Sequence, residues 1–183
     1  MSRLPPLPDD KLTDAQRKVV EAIKSGPRGR VGGPFPALLR NPDLAGRVAH
    51  LGELLRFGTS LPPRLSELAI LVTARTWKAQ YEWYAHAKLA RQGGLSDAII
   101  EAIGRNEKPT GMQPDEAAVY NLCTELHRTH GVSDQAYATA RDLFGEAGVV
   151  ELLAISGYYV LVSMVLNVAQ VPLPEGEPVP LAD

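Results

Sequence analysis

The chain has 183 residues, 45% of them hydrophobic, and a formal net charge of −2 at pH 7. That length suits one domain with a sizeable core, and a balanced charge without basic runs among aromatics argues against nucleic acid as a partner. A single cysteine, Cys123, excludes an internal disulfide framework and a cysteine-rich metal centre.

Helix signals run the length of the chain, and strand signals are scarce. The opening "MSRLPPLPDDKL" has no apolar h-region, so a reducing, cytoplasmic setting is expected. Thr13 and Gln16 form a capping box ahead of "AQRKVVEAI". Residues 26–36, "GPRGRVGGPFP", are too rich in glycine and proline for helix or strand and predict a loop. Asn41 and Pro42 supply an N-cap and a first-turn proline for "DLAGRVAHLGELLRFG". Pro62 and Pro63 open "RLSELAILVTA", Ser96 opens "DAIIEAIG", Pro114 opens "DEAAVYNLCTELHRTH" and Ser133 opens "DQAYATARDLF". The last helix is predicted from about Glu146 to Gln170. Gly58, Gly93, Gly104 and Gly131 each follow a periodic segment and mark its end. Short connections of this kind join packed antiparallel helices. The expected fold class is all-α, one domain over 1–171, followed by a proline-rich tail over 172–183 that is loose or lies on a neighbouring subunit.

From Leu152 to Val171 twenty residues pass without a charge, enough to span a bilayer. Ser156, Tyr158, Tyr159, Ser163, Asn167 and Gln170 scatter polar groups along that run, and no Lys or Arg flanks it to set an orientation. A helix buried inside the domain or at a subunit interface is the better reading. A homo-oligomer is therefore expected, and no membrane partner.

The chemistry concentrates in "AQYEWYAHAKLA", residues 79–90. As a helix, this stretch places Glu82 and His86 one turn apart on a segment that is apolar nearly all round. A buried carboxylate must be paired or protonated, and His86 is the obvious partner. The pair alone fits a structural hydrogen bond as well as a catalytic dyad. Glu67, on "RLSELAILVTA", shifts the balance if it converges on them. In one straight helix Glu67 and Glu82 would lie about 22 Å apart, so a break is required, with Thr76 as the candidate N-cap of the second helix.

The pattern "SELAIL…YEW…H…AR..GLS", within roughly residues 34–103, resembles the carboxymuconolactone decarboxylase family, which includes the alkylhydroperoxidase D-like proteins. The C-terminal "ELLAISGYYVLVSMVLNV" resembles the family's closing helix. The resemblance implies an all-helical domain assembled as a trimer or hexamer, a break between the helices bearing Glu67 and Glu82, and a site beside His86. The peroxidase branch carries a Glu, a Cys-x-x-Cys pair and a His four residues after the second Cys. Laid on this chain, Glu and His fall on Glu67 and His86, and the cysteines on Ala79 and Glu82. Thiol peroxidation needs an attacking and a resolving thiol, and this segment has neither. Cys123 reads as a small buried apolar residue.

Decarboxylation beside an unsaturated lactone leaves electron density that must be protonated. His86 is expected as general acid/base, Glu82 as its orienting partner and Glu67 as a second acid/base or ligand-orienting group. Arg64, Arg75 and Lys78, with the free N–H groups opening the second helix, are the candidate binders of substrate carboxylates, and Tyr81 a candidate wall of the cavity. Trp83 reads as core. His127 and His130 sit near a helix C-terminus, and His50 reads as a core or interface histidine. The expected activity is a cofactor-independent lyase or isomerase on a small carboxylated compound, without cofactor or metal. The alternatives are a non-catalytic oligomer that binds a small ligand, and, against the missing cysteine pair, a peroxidase.

Overall fold

The computed structural model describes residues 2–182; Met1 and Asp183, the ends of the expected domain and tail, lie outside them. Every regular element among those residues is helical. After a 3-10 turn at Asp9–Lys11 come α1 (Asp14–Ser25), α2 (Phe35–Leu38), α3 (Pro42–Phe57), α4 (Pro63–Thr76), α5 (Gln80–Gln92), α6 (Asp97–Gly104), α7 (Pro114–Thr129) and α8 (Asp134–Ala169).

The helix starts form for the local reasons the residues suggest. Thr13 and Gln16 close a reciprocal capping box on α1, and the Asn41 side chain accepts from the Leu44 N–H at 3.1 Å. Ser96 and Ser133 cap α6 and α8 in the same way. Pro114 opens α7 as expected, with an unanticipated capping box from Gln113 and Glu116, and the end of the glycine-rich loop winds into the single turn of α2, which was not expected.

Helix α4 is the axis of the molecule. All ten residues from Leu65 to Ala74 are buried, and the helix packs against α5, α7 and α8. A helix covered on all sides belongs to the interior, so Glu67 is carried there by its neighbours. The chain breaks where the chemistry requires, between α4 and α5, but by a different device than expected. Thr76 ends α4, and its hydroxyl donates to the Val72 carbonyl at 2.8 Å. Lys78 takes the left-handed conformation, φ 46°, and Ala79 precedes α5 with no side-chain cap. The Asn167 amide of α8 donates to the Trp77 carbonyl at 2.7 Å and fastens the turn.

In α8, Gly145 (φ 68°, ψ 174°) interrupts the helical backbone, so the long apolar segment starts at residue 146, as expected. By length and composition α8 could cross a membrane, with half of its most apolar window buried in the fold. The proline-rich tail lies on its own chain. The Gln80 side chain exchanges two hydrogen bonds with the Leu181 backbone, at 2.9 and 3.0 Å, and Glu177 accepts from the Tyr84 hydroxyl at 3.0 Å.

Candidate active site

The α4–α5 turn brings Glu67, Glu82 and His86 together. His86 Nδ1 lies 2.6 Å from Glu67 Oε2, and Nε2 lies 2.9 Å from Glu82 Oε1. All three are buried, at 8%, 4% and 5% exposure. A neutral imidazole has one N–H and would turn a bare lone pair towards one carboxylate; the imidazolium donates to both. Burial, the largest influence, pushes the imidazole's pKa down, and the charges and hydrogen bonds of Glu67 and Glu82 outweigh it, raising the pKa to about 9. His86 is therefore charged at neutral pH.

Glu82 and His86 line a small cavity of about 110 Å³; Glu67 stands behind the imidazole, outside the cavity wall. Tyr159 presses on the His86 ring edge-on, centroids 5.0 Å apart, and Tyr158 packs edge-on against Tyr159 at 5.2 Å. The Tyr158 hydroxyl donates to the Val48 carbonyl at 3.2 Å and accepts from Arg28 Nη2 at 3.4 Å. That hydroxyl occupies the place a Cβ would take at residue 52, so Gly52 is what lets the tyrosine and Arg28 approach α3. The 26–36 loop adds Arg28, Arg30, Gly32 and Gly33 to the lining, with Arg56 from the end of α3.

Of the residues proposed from sequence to bind substrate, Tyr81 lines this cavity and Arg64, Arg75 and Lys78 do not. Arg64 is engaged elsewhere, 2.6 Å from Asp115 and 2.5 Å from Glu116. Arg75 borders a separate groove with Tyr120 and Glu107, and Lys78 is exposed in the turn. Proximity in sequence is not proximity in space here: Arg64 sits in the first turn of α4, at the far end from the α4–α5 turn. Arg28, Arg30, Arg56, Tyr158 and Tyr159 were missed. The one signal available was two arginines inside a glycine-rich loop.

The other histidines stand apart. His127 Nε2 lies 2.9 Å from Thr73 Oγ1; that hydroxyl already donates to the Ala69 carbonyl, so the imidazole is the donor, and burial lowers its pKa. His130 caps α7 in the left-handed conformation. His50 is exposed, contrary to the core reading. Among the described residues no three His, Cys, Asp or Glu side chains are arranged to hold a metal ion.

The fold is that of the alkylhydroperoxidase D-like core proteins. A peroxidase-related protein of that class from Ralstonia eutropha JMP134 superposes with a TM-score of 0.77 at 17% identity, over 95% of this chain and 93% of that one. The debrominase Bmp8 gives a TM-score of 0.74 at 12% identity, over 94% and 92% of the two chains. A protein of unknown function from Agrobacterium tumefaciens gives 0.67 at 18% identity, over 75% and 94%. Residues 42–125 match the model of the carboxymuconolactone decarboxylase family. No curated protein matches the chain in sequence.

Proposed function

We propose that the protein is a cofactor-independent acid–base enzyme, a lyase or isomerase of the carboxymuconolactone decarboxylase type, acting on a small unsaturated acid or lactone. The observation that carries this reading is a buried imidazole whose two nitrogens lie 2.6 and 2.9 Å from glutamate oxygens, one of the glutamates lining a cavity. Chemistry at such a site is proton transfer. The reading assigns the roles by contact: Glu67 bonds Nδ1 and does not line the cavity, whereas Glu82 bonds Nε2 and lines the cavity beside His86.

Protonation of a carbanion left by carbon dioxide loss then follows a relay. Glu82, a carboxylate at rest, takes the Nε2 proton of the imidazolium and passes it to the substrate carbon. His86 is left neutral, with Nδ1–H still bonded to Glu67. One proton leaves the imidazolium and one reaches the substrate, and the reverse sequence serves an isomerisation. His86 is the proton reservoir, Glu82 the group that meets the substrate and Glu67 the positioning residue.

Thiol chemistry has little support. Ala79 and Glu82 stand at the family's cysteine positions, and Cys123 is fully buried, its thiol pushed up to about 11 by burial against a weak contact with Ser156 at 3.6 Å. The setting we propose is a cytoplasmic homo-oligomer.

The test is turnover of a panel of small unsaturated acids and lactones. Glu82→Gln and His86→Ala should each lower kcat by at least about a hundredfold while keeping the helical content and mass of the unmodified protein. Undiminished turnover in either variant ends the assignment.

A further inference from the structure

We infer that Arg28 and Arg56 form an anion-binding subsite that selects, for the cavity beside His86, a small flat ligand bearing a carboxylate. The inference deepens the acid–base reading and rests on it for treating this cavity as the reacting site.

Three observations carry it. First, Arg28 Nε and Arg56 Nε are buried without a hydrogen-bond partner, as is Arg75 Nε elsewhere, and of the three only Arg28 and Arg56 line this cavity. Buried N–H donors of this kind are costly unless something accepts from them. Second, among the described residues neither these arginines nor Arg30 forms an ion pair within 4.0 Å, in contrast to Arg64 with its two carboxylates. Third, both guanidiniums are held in place rather than free. Arg28 stacks 5.0 Å over the Phe35 ring and reaches the Tyr158 hydroxyl, and Arg56 stacks 4.9 Å over Phe57.

The charge balance points the same way. Three guanidiniums and the His86 imidazolium stand against Glu67 and Glu82, four cations to two anions, so the cavity is short of negative charge. A planar guanidinium fork matches a carboxylate, and the walls of Tyr81, Tyr158 and Tyr159 favour a flat body over a tetrahedral anion. Arg28 and Arg30 precede the family-matched segment 42–125, whereas Arg56 lies within it.

Isothermal titration calorimetry at low salt with 2-furoate, 2-furamide and inorganic phosphate tests it on the whole chain. Furoate should bind, and furamide and phosphate each at least tenfold more weakly. Arg28→Met and Arg56→Met should each weaken furoate at least tenfold and leave furamide unchanged, while Arg28→Lys recovers part of the loss; the lysine variant also guards against a methionine variant that fails to fold. Equal binding of furoate and furamide, phosphate binding as tight as furoate, no furoate binding, or furoate binding indifferent to both arginines overturns the inference. Arginine-dependent furoate binding without any His86-dependent turnover would leave the subsite standing and remove the acid–base reading. His86-dependent turnover with arginine-independent binding would do the reverse.

Discussion

His86 has no nitrogen free for a ligand, because both are committed to carboxylates. That arrangement links the site to stability as well as to chemistry. The folded pKa, about 9, lies above the ordinary imidazole value of 6.5, so the protonated form favours the folded state. The stabilisation is complete below about pH 6.5 and is lost as pH rises through about 9, on the order of 3 kcal/mol in all. Urea unfolding at about pH 6 and about pH 9.5 should register that loss, and Glu67→Gln, with one carboxylate fewer to hold the charge, should show a smaller difference between the two. Gly52→Ala places a methyl on the Tyr158 hydroxyl and on Arg28; it should destabilise by about 1–3 kcal/mol and displace Tyr158 from the cavity, visible as a lowered Tm and a changed tyrosine spectrum. At this scale the sequence was half legible. Glu82 and His86 share a helix face and could be paired by spacing alone; Glu67 was a candidate from its segment, and the family resemblance implied the break that brings it to them. Gly52, Tyr158 and Arg56 carry no local signal, because their roles exist only once α3 and α8 face each other.

The turn between α4 and α5 decides whether there is a site at all. Its need was readable, since Glu67 and Glu82 cannot meet along a straight rod, but its construction was not. Thr76 is a reasonable cap by residue type, yet it bonds back to Val72 inside α4, as threonines do when an i−4 carbonyl is at hand. The direction change is made instead by Lys78 at φ 46°, a conformation with a cost for any side chain, and is held by Asn167 from ninety residues away. Lys78→Gly should relieve that cost and raise stability by up to about 1 kcal/mol, read as a higher urea midpoint with the His86 titration unaltered. Asn167→Ala should lower it by about 1 kcal/mol. A Lys78→Gly variant less stable than the parent would show that the lysine side chain has a role the turn geometry does not explain. The tail was misplaced for a related reason: proline-rich composition argues for looseness, but the backbone of Leu181 finds both partners it needs on one side chain, Gln80.

Across the whole molecule, α8 buries one face in the core and presents Val150, Leu153, Leu161, Met164 and Val168 on the other. Beside it runs an apolar groove bordered by Trp77, Leu126, His127 and Val160. Contiguous apolar surface of this kind favours a second copy of the chain, and light scattering should give a mass that is a multiple of 19.8 kDa; a lone monomer at micromolar concentration would contradict that expectation. The all-α class was legible throughout, because caps, prolines and apolar periodicity agree from one helix to the next. The account as a whole depends on the helical packing keeping a charged imidazole out of water between two carboxylates. Nitrogen-15 NMR of the histidine rings in the intact protein reads this directly. His86 should carry protons on both nitrogens at about pH 7.5 and titrate near pH 9. One bare nitrogen at that pH, with titration near the ordinary 6.5, would contradict the buried imidazolium and the proton relay built on it.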